Sequence, residues 1–166
     1  MKRPPFDDPR SFTRRWSRLT PREFREESHR DPLLFVADHL SILDRRAGAI
    51  AIHAEVGHDL PPALILISDG PVAPREEDCL GLLATVVANL QASVEEMEFD
   101  IPEGECAVRR LGVVTHRVGT RAVHDIDRRW MRALALLSAA LGIEALGVLV
   151  RIRSGDLVRV PLTEAA

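Results

Sequence analysis

The chain of 166 residues has no tyrosine, only 4% aromatic residues and two cysteines. With so few rings, the core must be built from Leu, Val, Ile and Ala, and platforms that stack on bases are not expected to dominate function. Cys79 and Cys106 are far apart and form no CxxC pair, which excludes a zinc-knuckle or thioredoxin motif. Both border apolar runs, so we expect buried free thiols rather than a disulfide.

The sequence also lacks a strong net charge and a long apolar run. The formal charge is −3 and the pI is about 6.1, which argues against a dedicated nucleic-acid binder over the whole domain. No stretch reaches the roughly 18 apolar residues that span a bilayer, and the N-terminus, MKRPPFDDPR, has no apolar core of signal-peptide length. We therefore expect a cytoplasmic protein with no membrane association.

Residues 1–43 are predicted to form a flexible tail and a helical arm, ahead of one domain at residues 44–166. Three prolines and mixed charge mark the first ten residues as the tail. The run Thr20-Pro21-Arg22-Glu23 is a helix start, with Thr as cap, Pro in the first turn and Glu23 reaching back. This arm, which is rich in Arg, either packs on the domain or binds a partner.

The domain shows alternating and continuous apolar patterns that predict strands, separated by two long helical patterns. The predicted strands are Ala47–Val56, Ala63–Ser68, Ala107–Thr115, Ala145–Arg153 and Leu157–Leu162, and the helices are Glu76–Glu98 and about Val123–Leu141. The run Ala63–Ser68 is continuously apolar, as expected of a strand covered on both faces. Helices between strands, with hairpins at both ends, predict an α/β fold with one mixed β-sheet and two main helices packed on it.

Two histidines and a carboxylate gather where the third strand leads into the second helix. His116, His124 and Asp127 make a two-His, one-carboxylate set, which suits zinc or iron and leaves coordination positions open for water. Glu55, near the end of the first strand, is the candidate general base. The plainer interpretation is that carboxylates in the first helical turn stabilise the helix dipole, that His124 is solvated and that His116 ends a strand.

The same residues resemble the JAB/MPN metalloprotease-like domain of the bacterial RadC type. That family carries His-x-His-Pro, a short loop, then Ser-x-x-Asp at the start of a helix, and RadC-type domains add Leu-Gly-Ile after the helix. Without gaps, the second family His falls on His116, the Asp on Asp127 and Leu-Gly-Ile on Leu141-Gly142-Ile143. The match spans residues 113–150, and the order β-β-α-β-α-β-β agrees with it.

The match departs from the family motif at three positions. The first family His falls on Val114, the Pro on Arg117 and the Ser on His124. The family's zinc site needs both histidines and the Asp, with a water activated by a Glu on an earlier strand, so the metal motif is incomplete here. The resemblance therefore implies the fold more than the activity.

The combined expectation is a non-catalytic JAB-like domain that acts as a protein-binding scaffold. A protein partner is expected through the N-terminal arm or an exposed sheet edge, a homodimer is a further possibility, and no cofactor is required. One alternative is a metal-dependent hydrolase that uses zinc at His116, His124 and Asp127. Another is a nucleic-acid-associated accessory protein, whose Arg-rich arm would touch phosphates. Separately, Arg128, Arg129 and Arg132 form a predicted basic face on the second helix, which could hold phosphate or an acidic partner.

Overall fold

A computed structural model describes residues 19–40, 45–57, 60, 62–97 and 99–162. The helices are α1 (Pro21–Arg30), α2 (Pro32–His39), α3 (Glu76–Glu96) and α4 (Asp125–Leu141), and the strands are β1 (Ile50–Val56), β2 (Ala63–Ile67), β3 (Val108–Arg117), β4 (Glu144–Ile152) and β5 (Leu157–Arg159). The predicted flexible tail and the part of the arm before Leu19 lie outside these residues. In the described part of the chain, no helix is both long and apolar enough to cross a bilayer.

The five strands form one mixed sheet in the order β2-β1-β3-β4-β5. β1 pairs antiparallel with both β2 and β3, β3 runs parallel to β4, and β4 pairs antiparallel with β5. The parallel β3–β4 pair requires a crossover, which α4 supplies. The predicted α/β class, the mixed sheet and the hairpins at both ends are therefore confirmed.

Helices α3 and α4 cover one face of the sheet. Their apolar residues, Leu83, Val87, Met131 and Leu134 among them, are buried in one core cluster with alternate residues of the central strands, such as Ile52, Val113 and Val150. Because side chains in a strand alternate between the two faces, β1 contributes every second residue to this cluster, from Ile50 to Val56.

Helix α2 covers the opposite face of the sheet. Its buried Leu33, Val36 and Ala37 form a second core cluster with strand residues that include Val114 and Leu149. A Cβ on Gly112 would lie 2.5 Å from Leu33 Cδ2, so this glycine permits the close approach of α2 to β3. The predicted helix start before α1 is also present, because Thr20 and Glu23 exchange capping hydrogen bonds.

The predictions for the end of β3 and for the burial of β2 are wrong. β3 runs to Arg117 rather than to Thr115, so His116 and Arg117 are strand residues paired with β4. β2 is not covered on both faces, because it lies at the edge of the sheet and leaves Leu64 46% and Leu66 44% exposed. A continuous apolar run does not distinguish a central strand from an apolar edge strand, since both have the same local pattern.

Candidate functional site

The strand-to-helix junction consists of the end of β3, the loop of residues 118–124 and the first turn of α4. Asp127, in this first turn, accepts a hydrogen bond of 2.8 Å from the backbone N–H of His124. This bond satisfies one of the donors that a helix leaves unpaired at its start, and the carboxylate lies at the positive end of the helix dipole. Asp127 therefore caps α4.

Arg117 is the central side chain of the junction. Its Nε donates to both carboxylate oxygens of Asp127 at 2.9 and 3.1 Å, and its Nη2 donates to Oδ2 at 2.8 Å. The remaining donors bond to the loop: Nη1 to the carbonyls of Val118 at 3.2 Å and Thr120 at 3.0 Å, and Nη2 to the carbonyl of Ala122 at 2.8 Å. One guanidinium thus joins the strand, the loop and the helix.

This ion pair lies deep in the protein. The side chain of Arg117 is 7% exposed and that of Asp127 is 1% exposed. Charges that have left water are tolerated only when good geometry and further hydrogen bonds offset their desolvation, and the planar guanidinium provides both in a fixed arrangement. The junction is therefore organised around a cation that the chain itself supplies.

His124 lies against the loop at the start of α4. Its Nε2 is 3.2 Å from the hydroxyl of Thr120. Gly119 has φ +110°, and a Cβ there would come within 2.9 Å of His124 Cε1, so only glycine suits this position. The imidazole packs against the outside of the loop that Arg117 holds.

His116 points to the other side of the sheet. It precedes Arg117 in β3, and neighbouring strand residues point to opposite faces. Because Arg117 reaches Asp127 on the α3–α4 face, the His116 side chain lies on the α2 face, where its Nδ1 is 3.1 Å from the carbonyl of Ala49. The sheet therefore separates His116 from Asp127.

Glu55 lies at the far end of the sheet from the junction. Ile50 of β1 is opposite Thr115, whereas Glu55 is opposite Arg110, about 16 Å further along at the usual rise of a strand. The Glu55 carboxylate accepts a hydrogen bond of 3.0 Å from Arg110 and lies 3.5 Å from His53 Nε2. Glu55 is thus part of a separate charged cluster.

His53 is buried within that cluster. It is 6% exposed. Burial lowers the pKa of its imidazole, and Arg110 and His29 lower it further, against an opposing effect of Glu55. His53 therefore favours the neutral form in the folded protein.

The structure does not bring the predicted metal ligands together. Across the described residues, no group of three or more His, Cys, Asp and Glu side chains could hold a metal ion. The cavity that Thr115, Asp127 and Trp130 line at the junction holds only about 10 Å³, which is close to the space of a single water molecule.

The predicted basic face of α4 is engaged within the protein. Arg132 donates to Glu76 at 2.7 Å, Arg129 donates to the carbonyl of Pro74 at 3.1 Å, and Arg128 contacts Asp125 at 3.2 Å. The contacts of Arg132 and Arg129 tie α4 to the start of α3 and to the residue before its N-cap, whereas the contact of Arg128 lies within α4. The two carboxylates reduce the positive charge that the face offers to an anion.

Sequence reasoning missed Arg117 as a site residue. A weak local signal was present, because Arg117 follows the apolar run Leu111–Val114 by three residues and precedes a helix-capping Asp by ten. The strand was expected to end at Thr115, which placed Arg117 in a loop. Its pairing with Asp127 followed only once β3 extended to that residue.

Comparison of the chain with protein-family models, curated proteins and solved structures found no match.

Proposed function

We propose that this chain is a non-catalytic JAB/RadC-like domain that acts by binding another protein. The order of strands and helices and the residues His116, Asp127 and Leu141-Gly142-Ile143 support the resemblance. The observation that carries the non-catalytic part of the proposal is the buried pair of Arg117 and Asp127.

The residues present do not fit the zinc ion of the JAB/MPN family. In that family the aspartate is a metal ligand, whereas here both oxygens of Asp127 accept hydrogen bonds from Arg117. Val114 has no ligand atom, and the imidazole of His116 lies across the sheet. A guanidinium occupies the position beside the aspartate where a metal cation would be needed.

A metal ion could reach Asp127 only by displacing Arg117. Displacement would leave a buried guanidinium without its carboxylate, and breaking a buried pair in this way costs about 3–5 kcal/mol. The three carbonyls that hold the guanidinium would also lose their donors. The ion pair of Arg117 and Asp127 therefore occupies the carboxylate and also makes its release to a metal ion unfavourable.

The surface supports partner binding at the free edge of β2. Leu64 and Leu66 are exposed on a strand with no charged residue, and an unprotected edge offers backbone donors and acceptors to another strand. The arm remains a second predicted binding element. The hydrolase and nucleic-acid alternatives stay predictions, and no feature of the described residues favours either.

Metal content tests the non-catalytic part of the proposal. Protein purified without chelator and without a histidine tag should contain far less than one zinc or iron per chain, and it should not cleave peptide or isopeptide substrates. The matched variants are His116→Ala/Asp127→Ala and Asp125→Asn, which changes a neighbouring exposed carboxylate. About one metal per chain, lost in the first variant and kept in the second, would contradict the proposal.

A photo-crosslinking amino acid tests the binding part. Placed at Leu64 and activated in cells that express the chain, it should give a discrete protein adduct. At Leu136, an exposed residue of α4, it should give none. An equal yield at both positions, or no adduct at Leu64, would contradict binding at the sheet edge.

A further inference from the structure

The two edges of the sheet differ in a way that bears on assembly. β5 has only three residues, ends in Arg159 and is followed by Pro161, and Arg159 pairs with Asp31. Short length, charge and proline are the usual means by which an edge avoids pairing. β2 has the sequence ALILI, and among the described residues no strand covers its outer edge.

We propose that β2 pairs antiparallel with β2 of a second copy of this chain, which gives a two-fold dimer with one continuous ten-stranded sheet. The inference rests on the proposed function, because it uses the same sheet edge and names its partner. Since the β5 edges at both ends are protected, assembly stops at two chains and does not continue as a fibre.

The strand is complementary to itself in one register. Pro62 precedes β2 and lacks an N–H donor, which ends pairing on that side, and the strand itself ends at Ile67. All five residues pair only when Ile65 lies opposite Ile65 of the second copy. In that register Leu64 lies opposite Leu66 of the second copy on the same face, so the two exposed leucines of each chain cover those of the other.

The absence of charge in β2 and the apolar character of its two faces both favour a second copy of the chain as the partner. No charged residue lies within β2, so two copies bring no like charges opposite each other. Ala63, Ile65 and Ile67 are only partly buried on the α3–α4 face, so pairing adds apolar contact on both faces of the new sheet. A second copy always carries this uncharged five-residue pattern, in the one register that covers both exposed leucines.

The size of the contact sets the expected strength. One pair of five-residue strands buries less than the about 1,200–2,000 Å² of a standard stable interface. We therefore expect a dimer in exchange with the monomer, with a fraction that rises with protein concentration.

Charge-swapped variants of the full chain test the proposal. Leu64→Lys/Leu66→Lys and Leu64→Glu/Leu66→Glu each place like charges opposite each other in this register, so each variant alone should sediment as a monomer. An equal mixture of the two should restore the dimer, because every Lys then faces a Glu. Leu136→Lys, at an exposed leucine away from the edge, should dimerise like the unchanged chain.

Sedimentation velocity from micromolar to near-millimolar protein is the measurement, with circular dichroism to establish that each variant is folded. A chain that stays monomeric throughout, a dimer that survives the like-charged variants, or a mixture that remains monomeric would each overturn the proposal. These outcomes are distinguishable from failure of the proposed function: an adduct from Leu64 with a different protein would retain the partner-binding role and exclude the second copy.

Discussion

Replacement of Arg117 by methionine should be among the most damaging single substitutions in this chain. Methionine keeps the length and apolar stem of the side chain but leaves Asp127, only 1% exposed, as a buried carboxylate without its cation. Breaking a buried pair on one side costs about 3–5 kcal/mol, a large part of the roughly 5–15 kcal/mol by which a domain is stable. For a domain of this size the melting temperature should fall on the order of 10 °C.

Urea denaturation, followed by circular dichroism and by tryptophan fluorescence, measures this loss. Trp130 is a suitable probe because it is buried and lines the junction cavity beside Asp127. The control is Arg121→Met, in the same loop, which removes an exposed partner of Asp156 and should cost less than about 1 kcal/mol.

A double variant separates the ion pair from the general effect of the substitution. Arg117→Met/Asp127→Asn removes both charges, while the amide oxygen still accepts the hydrogen bond from the His124 N–H. It should recover about half of the loss, because the buried uncompensated charge has gone. If Arg117→Met costs no more than Arg121→Met, or if the double variant is less stable than Arg117→Met, the role assigned to the pair is refuted.

Three further predictions concern other parts of the fold. Gly112→Ala should destabilise the chain by about 1–3 kcal/mol, since its Cβ would meet Leu33 of α2. The control Gly81→Ala, on an open helix surface, should stabilise the chain by about 0.5–1 kcal/mol. Equal effects of the two substitutions in urea titrations would argue against the close packing of α2 on β3. A thiol-reactive dye should label only Cys106 in the native chain, because burial raises the pKa of the Cys79 thiol to about 12. Labelling of both thiols in the native chain, or any labelling of the folded Cys106→Ser variant, would contradict this. Burial lowers the pKa of His53 below its unfolded value of about 6.5, so its contribution to stability is complete above that pH and declines as the pH falls below it. His53→Gln should therefore flatten the plot of urea midpoint against pH in this range. An unchanged slope would show that His53 is not the group that titrates.

Local patterns in the sequence were sufficient for the class of fold. Helix α3 begins at Glu76 as predicted and α4 ends at Leu141, because amphipathic spacing and caps are encoded within a few residues. The antiparallel hairpins at both ends of the sheet follow from short connections. The α2 helix was predicted only as part of an arm, because its apolar face packs against Gly112 and Leu149, which are distant in sequence.

The candidate site was less predictable because it depends on which face each strand residue occupies. An extension of β3 by two residues places His116 on the α2 face and Arg117 on the α4 face. No pattern within Thr115–Arg117 fixes that end point. The exposure of β2 likewise depends on the order of strands in the sheet, which the sequence of β2 does not contain.

The packing of α2 has a consequence for the chain during its synthesis. Its buried face, Leu33 and Val36, is complete only when β4 supplies Leu149, more than a hundred positions later in the chain. At about 5–20 residues per second, the ribosome takes on the order of 10 s to make the intervening segment. During that interval the segment of Leu33 and Val36 lacks its packing partners and is an apolar stretch that a chaperone can bind, and the second face of the sheet cannot be covered until most of the protein has left the exit tunnel.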